Sequence, residues 1–350
     1  MIWLYRIAKK TEMDNKKVII IRVAAVFAAL FTSGLFILFL NHNPIEVYTS
    51  MLKGSFGSLY RFRETIVKTI PLVITSLGIL IAFKMKFWNI GGEGQICMGA
   101  FMASFIALKF PEVPKPILLF LMMIFGMIGG GIWAFIPAFF KSKFSTNETL
   151  FTLMMNYIAI KWITYLQYGP WKDENALGFP KIPNFTDNAV LPKVFGIHMG
   201  WIIALALVII IYVFINHTKK GYEISVIGES ENTARYAGID VKKTVLIAIF
   251  LSGGLCGLAG MIQASAVNNT LSVELSAGVG FTAIITAWLS GLKPHFIIMV
   301  SFLFAVLTQG GSFIQTAFEI PQSAAEILQG MVLIFVLGSE FFVNYKIIRR

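Results

Sequence analysis

Pro116–Phe140 reads PILLFLMMIFGMIGGGIWAFIPAFF, 25 residues without one charged side chain. A helix of that length rises about 37 Å, more than the roughly 30 Å of a bilayer's hydrocarbon core. Such a run fixes the class of the whole chain, because the rest of the sequence repeats it. Similar apolar runs occur at 18–40, 64–83, 90–108, 147–166, 197–216, 244–267, 278–291, 294–316 and 324–345. The 350 residues are 57% apolar and only 13% charged, with a mean hydropathy of +0.75. A soluble domain carries about 25% charge, so this chain lacks the polar surface to cover a soluble globule. The runs are continuous rather than alternating, which excludes a transmembrane barrel. The expected fold is an all-α integral membrane protein with about ten transmembrane helices.

Charge gives the orientation. The net charge is +11. In a soluble protein that would suggest nucleic-acid binding, but here it reads as the positive bias of cytoplasmic loops. With the N-terminus inside, 18 of the 29 Lys and Arg residues fall in inside loops, eight in outside loops and three within spans. Both ends are therefore expected in the cytoplasm. Residues 1–17 form a cytoplasmic segment, 18–345 one transmembrane domain and 346–350 a cytoplasmic tail. Val18–Leu40 is too long for a signal-peptide core, and no small-residue cleavage site follows it. It reads as a retained anchor.

Two loops are long. Residues 167–196 lie outside and read either as a cap over the helices or as a contact for an extracytoplasmic partner. Residues 217–243 lie inside, and their TKKGYEISVIGESENTARYAGIDVKK is mixed in charge and helix-forming, more than a turn requires.

Two spans are interrupted. Run 278–291 covers only about 21 Å as a helix and follows the glycine-rich Ser276-Ala-Gly-Val-Gly280. The run at 90–108 opens in the same manner, with Asn89-Ile-Gly-Gly-Glu-Gly-Gln95. If spans 2–5 and 7–10 are two halves of an inverted repeat, these openings occupy matching places, the expected sign of a transport site. Glu93 is an acid in apolar surroundings. It needs a polar cavity, a partner charge or the membrane edge. Gly91 and Gly92, like Gly278 and Gly280, free backbone amides, while Asn89 and Gln95 add uncharged donors and acceptors. That set suits a neutral hydroxylated or amide-bearing solute, and the alternative is a local structural pairing of Glu93. Asn156, midway along 147–166, faces either solute or a neighbouring helix. Lys161 on the same run reads as a snorkelling residue. Gln263, Asn268, Asn269 and Glu274 mark an outer gate or the membrane surface. Gly126-x3-Gly130 and Gly253-x3-Gly257 read as close helix packing.

The sequence has no Gly-Lys dipeptide, so it lacks a phosphate-binding Gly-x4-Gly-Lys-Ser/Thr loop. Its four histidines are scattered, and Cys97 and Cys256 lie in apolar runs. Neither a metal site nor a catalytic set is expected, and transport is the function class left.

Phe87-Trp-Asn-Ile-Gly-Gly-Glu-Gly-Gln95 resembles the signature of ABC transporter permeases of the branched-chain amino-acid/simple-sugar superfamily, in its nucleoside-type branch. Trp88 is a departure from that branch's F-N-I-G-x-E-G-Q. Glu148-Thr-Leu-Phe-Thr-Leu-Met-Met-Asn-Tyr-Ile-Ala159 is similar to the branch's fifth-span pattern. Gly221-Tyr-Glu-Ile-Ser-Val-Ile-Gly228, Ala234-Arg-Tyr-Ala-Gly-Ile239 and Ser252-Gly-Gly-Leu-Cys-Gly-Leu-Ala-Gly260 resemble its cytoplasmic loop and following helix. Gly278-Val-Gly-Phe-Thr-Ala283 through Gly291-Leu-Lys-Pro294 resembles its eighth span. The likeness covers roughly residues 60–340.

This resemblance implies a non-enzymatic translocation subunit of an ATP-driven importer, working by alternating access in a bacterial plasma (inner) membrane. The implied partners are two cytoplasmic ATPases that hold ATP and Mg, a second and different permease chain, and an extracytoplasmic solute-binding protein. This chain resembles the longer permease of such a pair and carries no cofactor itself. Nucleosides are the implied solutes, with simple sugars or riboflavin as alternatives. The coupling element is implied at Glu231, Ala234, Arg235, Tyr236 and Gly238. Ser225 stands where the family has a basic residue. An ion-coupled transporter with Glu93 as its titrating acid is the alternative of another class.

Overall fold

A computed structural model describes residues 5–9, 15–174, 176, 178 and 180–349. Lys10 and Arg350, both counted among the inside charges, lie outside the described residues. The helices are α1 (Asn15–Phe39), α2 (Pro44–Phe56), α3 (Leu59–Lys84), α4 (Gly92–Lys109), α5 (Lys115–Phe144), α6 (Glu148–Tyr168), α7 (Gly200–His217), α8 (Lys219–Glu229), α9 (Glu231–Tyr236), α10 (Val241–Gln263), α11 (Val279–Leu289), α12 (Pro294–Phe318) and α13 (Gln322–Asn344). The four strands are short: β1 (Tyr5–Lys9), β2 (Lys193–Val194), β3 (Ile197–His198) and β4 (Tyr345–Arg349). The all-α membrane class read from the sequence is the fold observed.

Every apolar run is helical, and by length and composition alone the described residues offer six candidate spans, or seven if the bent pair α1–α2 is one span, against the ten runs of the sequence. Six helical segments are long and apolar enough to cross a membrane unaided: Leu59–Lys84, Lys115–Phe144, Gly200–His217, Val241–Asn268, Pro294–Phe318 and Ser323–Val343. The other runs miss for physical reasons. The anchor expected at 18–40 breaks after Phe39 and bends by 111° into α2. Asn43 makes that break, its side chain accepting from the Ile45 N–H at 3.0 Å with Pro44 opening the new helix. Helices α4 and α6 have the length but carry polar side chains along it. Helix α11 has only 11 residues.

The chain divides into two compact units. One comprises Met1–Thr65 and Val306–Arg350, the other Ile66–Ala305. In the first, α1 packs on α13, and Ile37, Val47, Ile314, Ile320, Ala324, Ala325 and Leu328 form a small core. Strands β1 and β4 pair antiparallel, Tyr5 opposite Arg349 and Lys9 opposite Tyr345.

In the second unit α4, α5 and α10 form the centre. Their close approach depends on the two small-residue stripes. A methyl group on Gly257 would come 2.2 Å from the Gly126 carbonyl oxygen. Around them lies a large apolar core including Leu77, Leu80, Ile96, Met122, Ile163 and Ile262. The loop 167–196 is tied to the end of α10. Thr270 donates to the Ile182 carbonyl at 2.9 Å, the Phe185 N–H to Asn269 at 2.8 Å, and Ser265 to the Ala189 carbonyl. These bonds pin residues 182–189 to the segment that follows α10. The loop's hairpin, β2 and β3, turns on Phe195 and Gly196, both at positive φ.

Candidate functional site

The glycine-rich openings of α4 and α11, separated by 185 residues, meet. The Glu93 carboxylate, in the first turn of α4, accepts the Gly278 N–H at 2.9 Å and the Gly280 N–H at 2.7 Å. These amides begin α11, where an anion is favoured by the unpaired donors and the helix dipole. Glycine is required at both points. Gly278 has φ +78, and a Cβ on Gly280 would come 2.2 Å from the Glu93 nitrogen. Glu93 is 4% exposed, so this clasp satisfies a buried acid without a partner charge.

The remaining polar groups of the motif are joined to one another. Asn89 and Gln95 exchange amide hydrogen bonds, Asn89 to Gln95 at 3.2 Å and Gln95 to Asn89 at 2.8 Å. The Asn89 oxygen also takes the Gly91 N–H at 3.0 Å, and its amide donates to Ser252 on α10 at 3.3 Å. Asn156 spans the turn from α6. Its oxygen accepts the Gly94 N–H at 2.8 Å, and its amide donates to the Ile90 carbonyl at 2.9 Å. Thr152, one turn earlier, accepts the Ile90 N–H at 3.2 Å. Thus Asn89, Gly91, Glu93, Gln95, Asn156, Gly278 and Gly280 form one buried knot linking α4, α6, α10 and α11, and Gly92 packs against Gly280 within it. Glu93 is paired across the fold, with backbone amides 185 and 187 residues away, rather than locally.

Two contacts had no sequence signal strong enough to find them. Ser76 on α3 hydrogen-bonds Thr286 on α11, both fully buried. Below the clasp, Trp88 stacks on Trp288 with ring centres 5.6 Å apart, and both meet Phe83. Serine, threonine and tryptophan are common in apolar helices, and only their long-range pairing singles these out.

The segment 217–243 is two helices, α8 and α9. Thr218 caps α8 and Ser230 caps α9, accepting from Gly221 at 3.1 Å and Thr233 at 3.2 Å. Glu223 on α8 is buried between Lys220 at 2.6 Å and Thr244 at 3.0 Å. The Lys220 hydrogen bond, aided by Thr244, holds its carboxyl below the usual range. Helix α9 has six residues and carries an exposed Arg235–Glu231 ion pair at 2.6 Å. Ala234 is fully buried and anchors it, while Tyr236 is 93% exposed. Gly238, at φ +75, turns the chain towards α10. A cleft of about 430 Å³ opens beside it, with Lys86, Lys141, Glu148, Glu231, Arg235 and Lys242 on its wall. The expected coupling residues are therefore gathered on one short, outward helix and its exit turn.

At the loop 167–196, His198 is 3% exposed and neither ring nitrogen has a partner among the described residues. Burial, with Lys193 nearby, lowers its pKa to about 4. Among the described residues no group of His, Cys, Asp and Glu could hold a metal ion.

Comparison with known proteins adds the family context. The family model described as branched-chain amino acid transport system, permease component, matches residues 62–337. The glucose ABC transporter permease protein TsgB13 of Haloferax volcanii is 31% identical over 339 residues, covering 93% of this chain and 88% of that protein. The guanosine ABC transporter permease protein NupP of Bacillus subtilis is 28% identical, covering 92% and 93%. The nucleoside ABC transporter permease protein NupB of Lactococcus lactis is 29% identical, covering 93% and 92%.

Proposed function

Because this chain belongs to the permease family of branched-chain amino acid transport systems, we propose that it is the nucleoside-translocating membrane subunit of an ATP-driven importer. The observation that carries the ATP-driven part is α9: a six-residue helix, anchored by Ala234, presenting Arg235, Glu231 and Tyr236 to solvent. Such a helix fits a groove on a partner protein, and the mixed-charge cleft beside it offers complementary groups. The partner is a pair of cytoplasmic ATPases holding ATP and Mg. Their closure pushes on Glu231, Ala234, Arg235, Tyr236 and Gly238 and biases which side of the permease is open. The bias is limited to the coupling free energy between the two sites.

Nucleosides as solute are supported by the relatives named for guanosine and nucleosides, similar over more than nine-tenths of both chains. The glucose permease relative favours a second reading, a simple sugar. In both readings a second permease chain completes the pathway and an extracytoplasmic binding protein delivers solute. The chain sits in a bacterial plasma membrane with both ends cytoplasmic, as the Lys and Arg bias of the loops supports. The knot at Asn89, Gly91, Gly92, Glu93, Gln95, Asn156, Gly278 and Gly280 borders the pathway, holding the broken helices in position.

The test is uptake of labelled guanosine by cells with and without this gene, one sample depleted of ATP. Adenosine, uridine, ribose, glucose and riboflavin serve as competitors. Gene-dependent, ATP-dependent uptake blocked by nucleosides and not by sugars is expected. No gene-dependent guanosine uptake, with gene-dependent uptake of labelled glucose instead, moves the assignment to the sugar reading. Uptake that ignores ATP and follows a proton or sodium gradient refutes the importer.

A further inference from the structure

Helix α8 is set into its unit by two buried glycines, Gly221 and Gly228, two turns apart on one face. A methyl group on Gly221 would fall on the carbonyl oxygens of Phe214 and Ile215 at the end of α7. One on Gly228 would fall on the carbonyl oxygen of Lys84, the last residue of α3. The helix therefore meets the ends of two long apolar helices backbone to backbone. Ile224 and Ile227 are buried beside these contacts, and Glu223 ties α8 to Thr244 on α10.

The contact at Gly228 leads directly to the knot. Helix α3 ends in a tight turn, where the Lys86 N–H donates to the Phe83 carbonyl at 2.9 Å and the Phe87 N–H to the Ala82 carbonyl at 3.1 Å. These are the paired bonds of a Schellman end. Lys86 holds its left-handed position at φ +57, where glycine is the usual residue and a lysine costs about 1–2 kcal/mol. Its ammonium donates to the Glu229 carbonyl, at the C-terminus of α8, at 3.5 Å, a favourable place for a cation. Two residues after Phe87, the Asn89 N–H turns back to the Phe87 carbonyl at 2.9 Å, and the Asn89 side chain holds Gly91, Gln95 and Ser252. At the other end, Ser230 closes α8 by donating its N–H to Val226 at 3.0 Å, and its hydroxyl caps α9. Short backbone contacts thus run without a gap from α9 through α8 and the α3–α4 turn to Asn89. The cleft of about 430 Å³ is lined by Met85, Lys86 and Phe87 from this turn and by Ser142, Ser145 and Glu148 from the α5–α6 turn. The two turns are therefore not packed solid against each other there.

We propose that Gly228 is the positioning residue that joins α9 to the broken helices, seating α8 on the α3–α4 turn so that α8, the turn and Asn89 move as one piece. This rests on the ATP-driven reading above and names the contact through which a push on α9 reaches the knot. A methyl group at position 228 holds α8 off the turn, and movement of α9 is then absorbed in the gap. Lys86 stiffens the same joint, its unfavourable backbone held in place by the turn and by the bond to α8. The joint contributes a coupling free energy, which changes at one contact without altering a solute or ATP site.

The experiment uses the complete transporter, with its partner permease, ATPases and binding protein, reconstituted in liposomes. Labelled guanosine taken up per ATP hydrolysed is measured for wild type, Gly228→Ala and Lys86→Gly. The amount of inserted chain and the melting temperature are measured for each. In Gly228→Ala, ATP hydrolysis should persist while guanosine per ATP falls about tenfold, the size of a typical coupling term. In Lys86→Gly the chain should melt close to wild type, since glycine relieves the backbone, yet guanosine per ATP should fall about threefold. A glycine or lysine with a structural role alone would lower stability and leave that ratio unchanged. Gly228→Ala decides if it inserts at the wild-type level, and Lys86→Gly decides if it does not. A ratio within about twofold of wild type in the deciding variant overturns the joint and leaves the ATP-driven importer standing. If the wild type carries labelled glucose instead of guanosine, the same ratio is read with glucose. No ATP-dependent uptake of either solute by the wild type overturns the importer reading and the joint with it.

Discussion

Replacing Glu93 by Gln separates a structural clasp from a titrating transport acid. In the wild type one carboxylate accepts two backbone N–H groups, at 2.9 Å and 2.7 Å, at the start of α11. Hydrogen bonds to a charged group contribute about 1.5–3 kcal/mol each. Glutamine keeps one acceptor, now neutral, and turns an NH2 donor towards the other amide. One charge-assisted bond is lost, the second weakens to about 1 kcal/mol, and a buried N–H is left without a partner at about 1–3 kcal/mol. Relief of the carboxylate's desolvation opposes these losses. The net is about 2–3 kcal/mol of destabilisation. At roughly 2–4 °C per kcal/mol for a unit of this size, the melting temperature should drop by about 5–10 °C. The assay is thermal unfolding of the purified transporter in nanodiscs, with uptake measured in parallel. The variant should melt early and transport less, and its residual uptake should still need ATP. A melting temperature within 2 °C of wild type, together with uptake that no longer follows a proton gradient, would refute the clasp and make Glu93 the coupling acid.

Gly280→Ala places a methyl group 2.2 Å from the Glu93 nitrogen, so α4 and α11 must separate. Overpacking should destabilise by about 1–3 kcal/mol and lower the melting temperature, and an unchanged one counts against the contact. Gly238→Ala meets no neighbour but strains a backbone at φ +75 by about 1–2 kcal/mol. With Arg235→Ala it should reduce uptake while the chain remains folded and inserted, and normal uptake in both removes α9 from coupling. His198 is held neutral, with its pKa about 4 against 6.5 unfolded. Its contribution is complete above pH 6.5 and is lost as pH falls towards 4, by about 2 kcal/mol at pH 5. Limited proteolysis should therefore cut the 167–196 loop faster at pH 5 than at pH 7, and His198→Leu should flatten that difference. Glu223, with its carboxyl held low by Lys220, should lose its contribution only as pH falls below the usual carboxylate range. Lys220→Met should raise the lower end of that pH window and shrink the stability lost across it in a pH-melting series.

Hydropathy determined the class and the helices, since burial in lipid demands continuous apolar runs and leaves no other cheap way to satisfy the backbone. Helix α5 was legible from 116–140 alone, and so were α7, α10 and α12 from theirs. The sequence also located both broken helices, because glycine clusters next to a lone acid are rare in apolar chains. The segment 217–243 was legible as helix-forming and mixed in charge, and the Ser230 cap that starts α9 came from the structure. Composition could not foretell the bend after Phe39, which Asn43 and Pro44 create locally, nor that the ends of the chain pair as β1 and β4.

Tertiary structure alone decided what the polar groups do. Glu93 and Gly280 are 187 residues apart, and no spacing rule predicts that they touch. Asn156 could have faced solute or a helix until the Gly94 and Ile90 backbone groups took both ends of its amide. The same folding turned the other face of α6, with Tyr157, Lys161 and Tyr165, outward. One-dimensional pattern reports which side chains resist lipid. Which of them are satisfied by protein, and which remain open for a ligand, depends on long-range packing.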